Sequence, residues 1–193
     1  MLTLTLPRVA ALVSLSFFAA ACSDTASTAA VDASATAEQT LIIDTHIDIP
    51  FRLHRGYVDV SKATDGGDFD YPRAKAGGLN AAFMSIYIPA AVDEAGDSVA
   101  LADKLIDDME NLANSHPDKF AIATCSADIE AQAAREVISM PLGMENGGPV
   151  TTSEEALDHF YERGIRYITL SHSKSNALSD SSYDLNEAHG GLS

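Results

Sequence analysis

Five short apolar runs, at residues 41–48, 79–88, 120–124, 137–144 and 165–170, are separated by longer stretches with helical spacing, and this alternation limits the fold more than any other feature. Strands that alternate with helices build parallel sheets from βα units, either an open doubly wound sheet or a (β/α)8 barrel. Asp97 is placed to cap a helix whose apolar positions Ala102, Leu105, Ile106, Met109, Leu112 and Ala113 follow the 3.6-residue period, with Pro117 ending it. Ser126 is placed to cap a second helix that runs to Arg135. Thr152-Ser153-Glu154-Glu155 reads as a capping box for a third, which stops at Gly164. Pro141 interrupts the fourth run and predicts irregular pairing along one of its edges.

The polar residues distinguish the two sheets. A barrel gathers its chemistry at the C-terminal ends of several strands, whereas an open sheet gathers it near one switch point. His46 and Asp48 end the first run, Glu145 ends the fourth and His172 ends the fifth. No Gly-rich dinucleotide fingerprint follows the first run, where Pro50-Phe51-Arg52-Leu53 stands. The expected fold class is therefore α/β, with about five βα units forming the N-terminal portion of a (β/α)8 TIM-type barrel of the metal-dependent hydrolase kind.

Residues 1–21 read as a lipoprotein signal peptide. The apolar stretch 11–21 is too short to cross a bilayer; Arg8 precedes it and Ala19-Ala20-Ala21-Cys22 closes it. This end resembles a bacterial lipobox, which implies lipidation of Cys22 and a lipid-anchored protein of the cell envelope. Ser23 after the cysteine suggests the outer membrane, facing the periplasm; an ordinary secretory signal with an incidental cysteine is the other reading. Residues 22–40, mostly Ala, Ser and Thr, read as a flexible tether, and residues 41–193 as the folded domain. Cys125 alone remains after Cys22, so the folded part can form no internal disulfide, and a small buried apolar role is expected for it. A net charge of -16 argues against a nucleic-acid partner and against electrostatic attachment to anionic lipid. Acyl anchoring requires no basic patch if more than one chain is attached.

The first strand, read as Leu41 to Asp48, places Asp44, His46 and Asp48 on one face, with the helix-unfriendly Pro50 beyond it. An imidazole and a carboxylate two residues apart can grip one metal ion, and Glu145, from another strand, can bridge two. A lone histidine is more often a satisfied core residue, but Asp48 beside His46 reverses that preference. Asp44 is equally a partner that orients a ligand. Glu145 taken alone could be a surface or helix-capping carboxylate. His172 is open to three roles: third metal ligand, substrate contact or polar strand end. His116 and His159 are assigned to helices, and His54 and His189 to loops without a role.

Four segments carry a resemblance to the membrane (renal) dipeptidases, zinc peptidases with a (β/α)8 fold. Asp44-Thr45-His46-Ile47-Asp48-Ile49-Pro50 resembles that family's opening metal motif, with Ile47 where Asn is common. Residues 77–89 resemble its second-strand signature. Leu142-Gly143-Met144-Glu145-Asn146-Gly147 resembles the segment of the bridging glutamate, with Asn146 in place of a usual Gly. Residues 164–173 resemble its fifth-strand motif. The resemblance implies that His46 and Asp48 bind a first zinc, that Glu145 bridges two zincs and serves catalysis, and that His172 contacts substrate. It also implies cleavage of dipeptides by a metal-bridging hydroxide and a possible homodimer of the full-length protein. The family's second-zinc histidines, and its substrate-binding arginine and proton-transferring aspartate, have no counterpart in these 193 residues, which therefore look like an N-terminal fragment with little activity of its own. His189 is not promoted to a second-zinc ligand. Two alternatives stand beside this reading: another barrel amidohydrolase acting on amides or acylated amino acids, and a non-catalytic envelope lipoprotein.

Overall fold

The computed structural model describes residues 33–193. The signal segment, Cys22 and most of the expected tether lie outside the described residues. A seven-residue helix, α1 (Ala33–Gln39), occupies the end of the tether stretch. Five parallel strands follow: β1 (Ile42–Ile47), β2 (Leu79–Tyr87), β3 (Phe120–Ala123), β4 (Ile138–Glu145) and β5 (Ile165–Thr169). The helices between them are α2 (Ile49–Arg55), α3 (Tyr71–Ala76), α4 (Ala90–Glu94), α5 (Ser98–Ser115), α6 (Ser126–Ala133) and α7 (Ala156–Glu162).

The strands do not lie in simple chain order. β1 pairs with β2, and β2 pairs directly with β4. The other edge of β4 is divided: β3 pairs along it as far as Pro141, and β5 takes over from Leu142. Proline has no N–H to give a neighbouring strand, so it stands where one partner leaves and the next arrives. β4 is the middle of the sheet, buried from Ile138 to Met144 and only partly exposed at Glu145. Strands covered on both faces are expected to be continuously apolar in this way. Among the described residues β1 pairs only with β2, and β3 and β5 pair only with β4.

The core is built on this central strand. The six apolar positions read from the 3.6 period, Ala102 to Ala113, are all buried on α5. They meet Met84 and Ile86 of β2 and Met140, Leu142 and Met144 of β4, with Phe120 and Phe160 fully enclosed. Tyr71 presents its ring edge-on to Phe120, 5.5 Å between centroids.

Several local expectations are corrected. Pro50 does not oppose a helix; it sits in the first turn of α2, where a missing N–H costs nothing. Asp97 precedes α5 without a side-chain capping bond. The capping box at Thr152 does not form. Thr152 Oγ1 donates to the Pro149 carbonyl, Gly148–Thr151 winds as a 3-10 turn, and α7 starts at Ala156. Cys125, not Ser126, precedes α6, and it is exposed rather than buried. Asp128 accepts the Thr124 and Cys125 N–H groups there, which supplies the cap that the serine was expected to give.

One buried carboxylate ties the β1–β2 crossover. Asp70 precedes α3 and accepts the Arg73 N–H at 2.9 Å, the Arg73 Nε at 2.9 Å and the Thr64 N–H at 3.0 Å. The two backbone N–H bonds, helped by the guanidinium, lower its pKa from 3.8 to about 2. A depressed carboxylate pKa stabilises the fold above the unfolded value and loses that contribution as pH falls through the folded one. Stability should therefore drop between about pH 4 and pH 2, and Asp70→Asn should flatten this part of the curve while lowering stability at neutral pH. Denaturant melts across that window test this; an unchanged acid limb in the variant would remove Asp70 as its source.

Candidate metal centre

The C-terminal ends of β1, β4 and β5 bring the expected residues together. β1 ends at Ile47, so Asp48 is not on the strand. It begins α2 with backbone angles near φ -85° and ψ 30°. The shared face inferred from strand alternation is thus corrected: β1 slips register between Asp44 and Ile47, and the turn into α2 swings Asp48 back. His46 Nε2 lies 3.4 Å from Asp48 Oδ1 and 3.3 Å from Glu145 Oε2. One ligand atom from each of the three lies within 4.8 Å of the other two, the one such group among the described residues.

These atoms fit a small divalent cation. Ligands about 2.0–2.2 Å from a tetrahedral zinc sit roughly 3.3 Å from one another, and nitrogen with carboxylate oxygen is a donor set that zinc accepts. Glu145 is 14% exposed at its side chain and is held from three directions. Ser85 of β2 donates its hydroxyl to Oε2 at 2.7 Å, His46 faces the same oxygen, and His172 Nε2 lies 3.1 Å from Oε1. Asp44 does not touch the imidazole. Its Oδ1 accepts the His46 backbone N–H at 2.9 Å, so it shapes the chain that carries the ligand.

His172 borders a cavity of about 680 Å³ with Asp48, Phe51, Arg55, Tyr87 and Glu145. Its ring meets that of Tyr87 edge-on at 5.0 Å, and its buried Nδ1 has no partner. His172 lies outside the three-ligand group, with its Nε2 toward Glu145 Oε1. Desolvation, followed by the charges of Glu145 and Asp48, pushes the Tyr87 phenol pKa up, so it faces the cavity protonated. The remaining histidines are elsewhere. His116 closes α5 at 3.7 Å from Asp59, His159 on α7 meets Asp103 at 2.9 Å, and His54 stacks on Phe51 within α2. His189 Nε2 lies 2.9 Å from the Asn176 carbonyl.

Two contributors were missed in the sequence. Ser85 and Tyr167 each interrupt an apolar strand with a hydroxyl, a signal that becomes specific only once pairing aligns β2, β4 and β5. Tyr167 reaches His46 Nδ1 at 3.1 Å. Burial, then the carboxylates of Glu145, Asp48 and Asp44, raise its pKa and keep the phenol protonated. Asn146, where the resembling family commonly has Gly, adopts φ 74°, which turns the chain away directly after Glu145. Asparagine tolerates that region better than most residues, so the change from Gly preserves the turn.

The chain is similar to known proteins in sequence and in fold. Residues 31–193 match the family model described as membrane dipeptidase, peptidase family M19. The Aspergillus terreus protein "Dipeptidase ataJ" is 30% identical over 155 residues, covering 74% of this chain and 38% of the relative. An uncharacterized dipeptidase of Schizosaccharomyces pombe is 26% identical over 167 residues, or 79% of this chain and 41% of the relative. Among solved structures, the probable dipeptidase PvdM from Pseudomonas aeruginosa aligns with a TM-score of 0.68 at 23% identity, covering 83% of this chain and 43% of that one. A Rhodobacter sphaeroides metallopeptidase, solved with a phosphinate mimic of the dipeptide L-Ala-D-Ala, aligns at 0.65 and 20% identity over 72% of this chain and 48% of that one. The structural likenesses establish a barrel-type α/β fold, and the chain spans less than half the length of each of these four proteins. With the match of residues 31–193 to its model, the chain belongs to the membrane dipeptidase family of metallopeptidases, M19.

Proposed function

We propose that the whole protein is a zinc-dependent dipeptidase. The observation that carries this reading is the meeting of His46 Nε2, an Asp48 oxygen and a Glu145 oxygen within 4.8 Å at the edge of a cavity also bordered by His172. His46 and Asp48 would hold one zinc, and Glu145, with two oxygens facing two histidines, would be shared with a second. Zinc bound there supplies a Lewis acid for the scissile carbonyl and acidifies water near neutral pH. Ser85 fixes the rotation of Glu145 through its 2.7 Å bond, and His172, beside Tyr87, is placed to hold the substrate against the metal edge. Three carboxylates, Asp44, Asp48 and Glu145, make this edge attractive to cations. For the 193 residues alone we propose a single zinc and little hydrolysis, because one three-ligand cluster is what the described residues offer. Anchoring in the bacterial envelope through a lipid on Cys22 belongs to the same proposal, and cell fractionation tests it.

Zinc titration of the 193-residue chain, and of the protein of its relatives' length, against a panel of dipeptides and acylated amino acids tests the assignment. Expected are one zinc in the first, two in the second, and hydrolysis of dipeptides by the second alone. Absence of zinc from both would leave a non-catalytic binder. Preference for acylated amino acids would place the protein with other amidohydrolases.

A further inference from the structure

Tyr167 belongs to β5, yet its hydroxyl ends beside β1. Between those strands lie β2 and β4, so a flat sheet would separate them by three strand spacings, roughly 14 Å, more than a tyrosine side chain spans. The sheet is curved enough for the ring to cross its inner face as a chord. Gly143, paired with Tyr167 across β4 and β5, makes the crossing possible: a Cβ there would stand 2.1 Å from the ring. Phe83 of β2 supports the ring from one side, 5.2 Å between centroids.

At the end of this chord the phenol oxygen lies 3.3 Å from the Thr45 carbonyl and 3.1 Å from His46 Nδ1. A carbonyl can only accept, so both contacts are hydrogen bonds only when the single phenolic proton goes to Thr45 and the oxygen's lone pair faces Nδ1. The ring satisfies this contact only if Nδ1 carries the hydrogen, which leaves Nε2 with its lone pair aimed between Asp48 and Glu145. We propose that Tyr167 is a positioning residue that selects the Nδ1–H tautomer of His46 and fixes the ring plane, so that Nε2 is presented as the metal-ligating atom. Partners of this kind, acting through a ligating histidine, are worth about 10–100-fold in metal affinity. The proposal rests on the zinc reading of the His46 cluster.

Tyr167→Phe keeps the ring over Gly143 and against Phe83 and removes only the hydroxyl. The test uses the 193-residue chain and two measurements. Chelator competition with zinc alone should show a loss of about 10–100-fold in affinity in Tyr167→Phe. Nitrogen NMR of the His46 ring in metal-free protein, at a pH where the ring is neutral, should show Nδ1–H in the parent chain and a mixture, or Nε2–H, in the variant. Gly143→Ala, which displaces the ring without touching the hydroxyl, should reproduce both changes, and Gly143→Ala combined with Tyr167→Phe should add little further loss. If the parent chain binds no zinc, the metal reading fails while the tautomer measurement still decides the role of Tyr167. Nε2–H in the neutral parent ring, or a variant matching its parent in tautomer and affinity, would overturn the proposal.

Discussion

Glu145→Ala is expected to abolish measurable zinc binding to the chain and, in the whole protein, dipeptide hydrolysis with it. The loss should exceed the roughly 10–100-fold attributed to groups that act through a ligand, since Glu145 is itself a ligand candidate with both oxygens engaged. Removing it also leaves the Ser85 hydroxyl and two imidazoles facing a cavity without their acceptor. Glu145→Gln separates charge from shape: it retains the volume and one oxygen, and should still lose most of the affinity because zinc favours the anionic ligand. Isothermal titration of zinc into the parent and both variants gives the comparison. Undiminished affinity in the alanine variant would remove Glu145 from the metal site, and with it the observation on which the dipeptidase proposal stands.

The second large effect is expected at Asn146, through stability rather than chemistry. Its side chain is buried and joins four segments: Nδ2 donates to the Ile88 carbonyl at 3.0 Å and to Asp93 at 3.4 Å, while Oδ1 accepts the Gly148 N–H at 3.2 Å and the Asn176 amide at 2.8 Å. At about 1 kcal/mol for each buried hydrogen bond, Asn146→Ala should cost roughly 2–4 kcal/mol. The left-handed backbone at φ 74° adds about 1–2 kcal/mol for alanine and nothing for glycine. Asn146→Gly should therefore be less destabilising than Asn146→Ala, although both lose the same side-chain bonds. Urea melts of the two variants measure the difference; equal stabilities would show that the backbone conformation carries no cost here, and parental stability in both would dismiss the hydrogen-bond hub.

How far the sequence could lead is seen in the same residues. Periodicity located α5 to the residue on its buried face, because an amphipathic helix writes its packing into the local spacing of Ala102, Leu105, Ile106, Met109, Leu112 and Ala113. The strands were found for a similar reason, and Pro141 announced its edge. The direct β2–β4 pairing was not legible, since strand order is a long-range outcome that no local pattern encodes. At the site, the structure brings His46, Asp48 and Glu145 together as expected, but not by strand alternation: Asp48 returns through the start of α2, with Pro50 helping that helix to begin. Tyr167 and Ser85 were passed over because a hydroxyl in a strand acquires meaning only from what curvature and register place opposite it. Thr152 shows the converse failure, a local motif displaced when the preceding turn bonded the same hydroxyl to Pro149.

The chord drawn by Tyr167 gives the sheet a property that none of its strands has alone. A brace joining two points of an arc senses the radius of that arc: if the strands flatten, the hydroxyl withdraws from Thr45 and His46 together. Ion capture and bending are then linked quantities, and linkage runs both ways. A cation gripped at the end of β1 would favour the bent sheet to the extent that it binds the bent arrangement more tightly than the flat one, and whatever holds the strands bent would sharpen the grip. The glycine at position 143, which bears no functional group, is the clearance on which this coupling turns.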